Sequence, residues 1–219
     1  MTQFKLTTPV VIIIFNRPDT TEKVFQRIRQ VKPPQLLVIA DAPRPDKPGE
    51  VEKCIAARKI VDLVDWKCEV LTNYAEVNLG CRERIYSGLN WAFSLVESAI
   101  ILEDDCVPHL TFFRFCQELL DIYQENNKVM AISGDNFQFG YNPREYRYYI
   151  SRYLQSWGWA TWRRAWKNYD NQMQLWPKLR DSKWLENILQ DSHAVQYWSK
   201  IFQNNYQGFY SWAYAWIFA

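Results

Sequence analysis

The stretch PVVIIIFNRPDTTEKVFQRIRQVKPPQLLVIAD runs from Pro9 to Asp41 and contains a complete strand, helix, strand unit. Pro9 to Phe15 is a continuous β-branched run, the signature of a strand buried on both faces. DTTE follows, and Asp19 with Glu22 three residues later reads as a capping box that opens a helix. Val24, Ile28 and Val31 then share one helical face, and Pro33-Pro34 ends the helix. QLLVIA, from Gln35 to Ala40, is the second strand. A short helix between two apolar strands is the crossover that parallel pairing requires.

The pattern continues outward. Beyond the Pro-rich DAPRPDKPGE loop, Val51, Ile55 and their apolar neighbours predict a second helix to about Val64. Cys68 to Thr72 is the third strand, and Gly80 to Val96 a helix with Ile85, Leu89, Ala92 and Val96 in register. Ala99 to Leu102 is the fourth strand, Leu110 to Tyr123 the next helix, and Val129 to Ser133 the fifth strand. Such alternation predicts an α/β fold, a mostly parallel central sheet with helices on both faces. Residues 1–140 form this region; 141–219 is Tyr-rich and then Trp-rich, a second lobe of the same domain.

Bulk composition excludes several classes. With 219 residues, 48% hydrophobic and 23% charged, the chain is of ordinary globular type. A net charge of +2 gives no field for nucleic acid. The longest apolar run is too short to span a bilayer, and no leader peptide precedes it, so a cytoplasmic protein is expected, with peripheral membrane contact left open. The five cysteines form no C-x-x-C pair and read as scattered reduced thiols. Nine of the 11 tryptophans lie after residue 150, for the most part an aromatic core, with some rings available to stack on a sugar face. The ending SWAYAWIFA has no polar stop signal, and the sequence is expected to be cut short there.

Parallel sheets bind ligands beyond the C-terminal ends of their strands. The residues at those ends are polar: Asn16 and Arg17 after the first strand, Asp41 after the second, Asn78 to Arg84 after the third, Glu103-Asp104-Asp105 after the fourth, and Gly134, Asp135 and Asn136 after the fifth. There is no G-x-G-x-x-G and no G-x-x-x-x-G-K-[ST], so a dinucleotide site and a P-loop are excluded. A diphosphate then needs a cation. Mg²⁺ or Mn²⁺ held by one or two carboxylates plus the phosphates is the usual solution. In an extended segment Glu103 and Asp105 project to one side and Asp104 to the other, which puts Asp105 on the metal and Asp104 toward a ribose hydroxyl. Arg84 is placed to reach phosphate and Asp41 to accept from a pyrimidine N–H; His109 and His193, the only histidines, are surface or packing residues first.

These segments, together with NLGCRERIYSGLNWAF, ISGDNF and WGWATWRRAWKNYD, resemble the GT-A nucleotide-diphospho-sugar transferases. The nearest likeness is a bacterial branch of sugar transferases and hemolysin-activation-like proteins, similar to the β-1,2-N-acetylglucosaminyltransferases. The resemblance implies transfer of a sugar from a nucleotide diphosphate donor, a UDP-sugar first, to a glycan or polysaccharide-precursor acceptor. It implies Mn²⁺ or Mg²⁺ on Asp105, a nucleotide site from Asn16, Arg17, Asp41, Arg84 and Asp104, and a sugar and acceptor side from Glu103, Trp157, Gly158, Trp159 and Trp212. Relatives carry an acid just after the residue matching Trp212, where this chain has Ala213. The general base is therefore sought elsewhere, at Asp135 first and at Asp170 or Asp191 after it. Two alternatives stay open: a nucleotide-sugar-binding module with little or no turnover, and a sugar-nucleotide pyrophosphorylase, which the glycine-free FNRPD turn disfavours.

Overall fold

The computed structural model describes residues 4–135, 137, 148–208 and 211–219. β1 (Val10–Ile14) has all five residues buried and lies inside the sheet, paired in parallel with β2 (Gln35–Ala40) and with β4 (Ser98–Glu103). β3 (Glu69–Tyr74) pairs in parallel with β2 at one edge. The crossovers are α1 (Pro18–Val31), α2 (Glu50–Lys59) with a 3-10 turn at Ile60–Leu63, and α3 (Cys81–Leu95). α4 (Thr111–Ile122) then leads to β5 (Ala131–Ser133).

The far edge differs from the expected fifth parallel strand. β6 (Trp159–Trp162) inserts between β4 and β5 and runs antiparallel to both, giving the order β3-β2-β1-β4-β6-β5. WATW is too short for its alternation to register in the sequence, and all four of its residues are buried, so no polar face marks it. Trp159 and Trp162, three apart, point to opposite faces. The Trp162 indole N–H donates to the Leu120 carbonyl of α4 at 3.2 Å. Trp159 packs against Trp166, Trp212 and Trp216. These come from α5 (Arg163–Trp166) and, after α6 (Trp176–Arg180), α7 (Trp184–Leu189) and α8 (Ser192–Tyr206), from α9 (Trp212–Phe218). Helices thus cover both faces.

Two local expectations are corrected. α1 begins at Pro18 with Arg17 as N-cap, not at Asp19. Proline's fixed φ suits the first helical position and lacks an N–H that would go unpaired there. Asp19 consequently falls inside the first turn, where it complements the helix dipole, and Thr21 Oγ1 donates to the Arg17 carbonyl at 2.7 Å. In α2, Val51 and Ile55 are each 48% exposed, while Glu50, Cys54 and Ala57 face inward at the i, i+4, i+7 spacing. The helix is turned by one residue because Glu50 is drawn into the loop beneath it. No helix among the described residues is long and apolar enough to cross a membrane.

α3 approaches β2 through Gly88, where an added Cβ would come within 2.5 Å of Ile39 Cγ2. Ile39 is fully buried and has no room to yield. Gly88→Ala is expected to cost about 1–3 kcal/mol, the usual range for overpacking a core, read as a lower urea midpoint. An unchanged midpoint would show that this helix and strand are not in contact as described.

Candidate active site

β1, β2 and β4 end at one rim. β5 runs with them, and the antiparallel β6 starts there, so residues 134–135 and 157–158 meet at the same edge: Gly134 N–H donates to the Gly158 carbonyl at 2.9 Å. Gly158 holds a φ of +82°, a conformation that L side chains rarely adopt.

The acidic triplet opens this rim. Glu103 is the last residue of β4, and Asp104 and Asp105 form a turn closed by the Cys106 N–H to the Glu103 carbonyl at 3.0 Å. Asp104 is 2% exposed, so the expectation that it faces a ribose hydroxyl is corrected. One of its oxygens accepts from the Phe15 N–H at 3.1 Å and the other from Arg17 Nη2 at 2.5 Å. The turn folds Asp104 inward, and a buried carboxylate has to be met by donors. The other arm of Arg17, Nη1, donates to Asp105 Oδ2 at 2.7 Å. Asp105 and Arg17 are about half exposed, at 46% and 49% of their side chains. Burial, with the charges of Asp105 and Asp104, raises the Glu103 carboxyl to about 7.

Asp41 and Arg84 are used differently from the sequence expectation. Asp41 is buried and accepts from the backbone N–H groups of Ala42, Leu79 and Gly80, each at 2.9 Å. It ties the β3–α3 loop to the end of β2 and turns no free oxygen to a base. Gly80, at φ +76°, caps α3 under this anchor. Arg84 is buried in the first turns of α3 and donates to the carbonyls of Ala40 (3.1 Å) and Asn73 (2.6 Å), so its guanidinium braces β2 and β3 instead of facing the rim.

Asn16 leads to residues the sequence did not reveal. Its Nδ2 donates to Glu50 Oε1 at 2.7 Å, and Glu50 also accepts from the Arg44 N–H at 2.7 Å and Arg44 Nη2 at 2.5 Å. Arg44, with help from Asn16, holds the buried Glu50 carboxyl down to about 2. The Arg44 guanidinium lies 5.7 Å from the Phe15 ring centre. The one available signal was an acid directly after KPG, at the first position of a helix.

Beyond Asp105 the rim opens into a cleft of about 2030 Å³, lined by Asp105, Asp135, Trp157 and Gly158 among others. Trp157 is 61% exposed and meets Phe137 edge-on at 5.7 Å. Asp135 accepts from the Trp157 N–H at 3.2 Å, and its own carboxyl is raised by burial. Trp159 and Trp212 are not cleft residues. They are 1% and 6% exposed and stack on each other at 5.8 Å in the core. His109 Nδ1 is 2.8 Å from Thr111 Oγ1, and His193 is exposed on α8. Asn136, named with the rim residues above, lies outside the described residues.

Among the described residues no group of three or more His, Cys, Asp or Glu side chains converges to hold a metal ion. What is present is Asp105 with Glu103 beside it, hard carboxylate oxygens with an Arg17 cation already against one of them. That donor set fits Mg²⁺ or Mn²⁺, ions that keep waters and take the rest of their shell from phosphate.

No protein-family model matches this chain, and no curated protein does. Among solved structures it is similar to a mannosyltransferase from Pyrobaculum calidifontis in complex with GDP-mannose and Mn²⁺, at 14% identity and a TM-score of 0.47 over 73% of this chain. The chain spans 45% of that protein's length. It is also similar to a candidate nucleotide-diphospho-sugar transferase from Desulfovibrio desulfuricans, at 12% identity and TM-score 0.40, over 73% of this chain and 65% of the other. A 4-diphosphocytidyl-2C-methyl-D-erythritol synthase from Anaerococcus prevotii gives 12% identity and TM-score 0.43, over 90% and 99% of the two chains. At these values the likeness is distant.

The Glu50 carboxyl generates a pH prediction. Its value is depressed on folding, so its contribution is complete above the ordinary carboxylate pKa of about 4.3 and is lost as the pH falls toward about 2. The stability difference between the wild type and Glu50→Gln should be widest above about pH 5 and shrink below it. Urea midpoints at two pH values measure this, and a pH-independent difference would contradict the pairing.

Proposed function

We propose that this rim binds a nucleotide-diphospho-sugar and that the protein transfers the sugar to a hydroxyl acceptor, with Mn²⁺ or Mg²⁺ as cofactor. The observation that carries this is the half-exposed Arg17–Asp105 pair at the C-terminal ends of β1 and β4, whose Asp105 lines the cleft. A cation and a carboxylate side by side offer a diphosphate both of the partners it uses, a guanidinium fork and a metal ligand. Asp105 would hold the metal, which when bound offsets charge on the leaving diphosphate, and Glu103 lies on the sugar side. Arg17 binds diphosphate oxygens, and Asn16 and Phe15 form the floor beneath the nucleoside. Asp41, Arg84 and Asp104 belong to the site as its supports: they hold the loops in place.

Trp157 offers a broad exposed face for an acceptor sugar, a glycan or polysaccharide precursor, on the opposite side of Asp105 from the nucleoside. Asp135, raised by burial and lining the same cleft, takes the acceptor hydroxyl's proton. A UDP-sugar is the favoured donor and the cytoplasm the favoured compartment. A donor-binding module without turnover is the second possibility. It is favoured by Ala213, which puts no carboxylate next to Trp212, and by the engagement of Asp135 with the Trp157 N–H.

A thermal-shift series with nucleotide diphosphates and Mn²⁺ tests the donor site. A ligand at about a hundred times its Kd adds about 2.7 kcal/mol, or roughly 5–10 °C for a chain of this size. The shift should require Mn²⁺ and vanish in Asp105→Ala. Absence of any shift in the wild type contradicts the proposal. Asp135→Asn should keep the shift and lower transfer by roughly 10²–10⁴-fold, whereas a wild type that binds donor without transferring it supports the binding module.

A further inference from the structure

Arg17 is the cation that now holds both aspartates of the rim. It reaches Asp105 Oδ2 with Nη1 at 2.7 Å and Asp104 Oδ1 with Nη2 at 2.5 Å, a single guanidinium shared between two carboxylates. The two ends of this bridge are unequal. Asp104 is 2% exposed and also receives the Phe15 N–H, so its link to Arg17 is enclosed. Asp105 is 46% exposed on its side chain and Arg17 49%, so their link is open to solvent. Breaking the buried link leaves a carboxylate without its counter-charge in a dry place; breaking the outer one exposes both groups to water.

We infer that Arg17 is an internal counter-ion that competes with the divalent cation for Asp105 and passes to the diphosphate when metal and nucleotide bind together. This rests on the donor site proposed above. A divalent cation at Asp105 and a guanidinium on the same carboxylate repel each other, so the outer arm has to leave. The inner arm stays on Asp104, which keeps the side chain at the rim. A planar fork freed on one side suits a phosphate, where it regains a charge-assisted bond. Metal alone therefore gives up an ion pair without replacement, and metal with nucleoside diphosphate does not. The two ligands bind with positive coupling through Arg17, each raising the affinity for the other by the same factor.

The test is Mn²⁺ binding followed by the electron paramagnetic resonance of the free ion, with and without saturating UDP, on the full chain. The Mn²⁺–UDP complex formed in solution is measured without protein and subtracted. In the wild type, Mn²⁺ alone should bind weakly and UDP should tighten it by roughly 10-fold or more, within the common range of coupling. In Arg17→Gln, Mn²⁺ alone should bind several-fold tighter than in the wild type, and the gain from UDP should shrink. Arg17→Lys, which keeps the charge but cannot fork across both carboxylates, should fall between them and serves if the glutamine variant does not fold. Equal or weaker Mn²⁺ binding in these variants, with metal and UDP still bound by the wild type, overturns the competition and leaves the donor site standing. A wild type that binds Mn²⁺ neither alone nor with UDP overturns both.

Discussion

A parallel sheet buried on both faces can carry charge only where its strands end. β1, the interior of β2 and most of β4 admit no polar side chain, because helices and aromatic rings press on each of their faces. The polar groups next to these strands therefore stand at their ends, Arg17 and Asn16 near Asp104 and Asp105, and Asp41 beside the β3–α3 loop. In so small a space like charges raise one another's cost, and each has to be met by a donor or a cation. The rest of the rim follows from that requirement.

Most of the charges are met by the protein itself. Asp41 is met by three backbone N–H groups, Glu50 by Arg44 and Asn16, and Asp104 by the Phe15 N–H and Arg17. Several of these contacts join the ends of different strands, Asn16 to Glu50, Asp41 to Leu79 and Gly80, and Asp104 to Phe15 and Arg17, so the electrostatic solution is at the same time the scaffold. What is left turned outward is small: Asp105 with one arm of Arg17, and the Asp135 and Trp157 pair that lines the cleft with it. A site built on rigid strand ends with few groups open to ligand suits an anionic substrate that brings its own metal.

The sequence disclosed the strands whose pattern repeats and concealed the contacts that cross between loops. β1, β2 and α1 were legible because a β-branched run and a helical face need no partner to be recognised. β6 was not, being four residues long and buried on both sides. The acidic triplet was found as a cluster, but strand alternation mispredicted Asp104, because the backbone leaves the extended conformation immediately after Glu103. Trp159 and Trp157 look alike in WGW, yet one is 1% and the other 61% exposed. Nothing in the sequence alone separates a ring that packs in the core from one that faces a cleft. Glu50 was hidden for a different reason: its partner Arg44 sits earlier in its own loop and Asn16 follows another strand, and only the fold brings the three together.

The central claim is that Asp105 is the metal ligand of a donor site at this rim. Anomalous diffraction at the manganese edge, from crystals grown with Mn²⁺ and UDP, tests it most directly. The account predicts a single strong peak within about 2.2 Å of an Asp105 carboxylate oxygen, with the diphosphate on its other side and the outer arm of Arg17 turned onto phosphate. A peak elsewhere on the molecule, or UDP bound away from β1 and β4 with Arg17 still on Asp105, would contradict it.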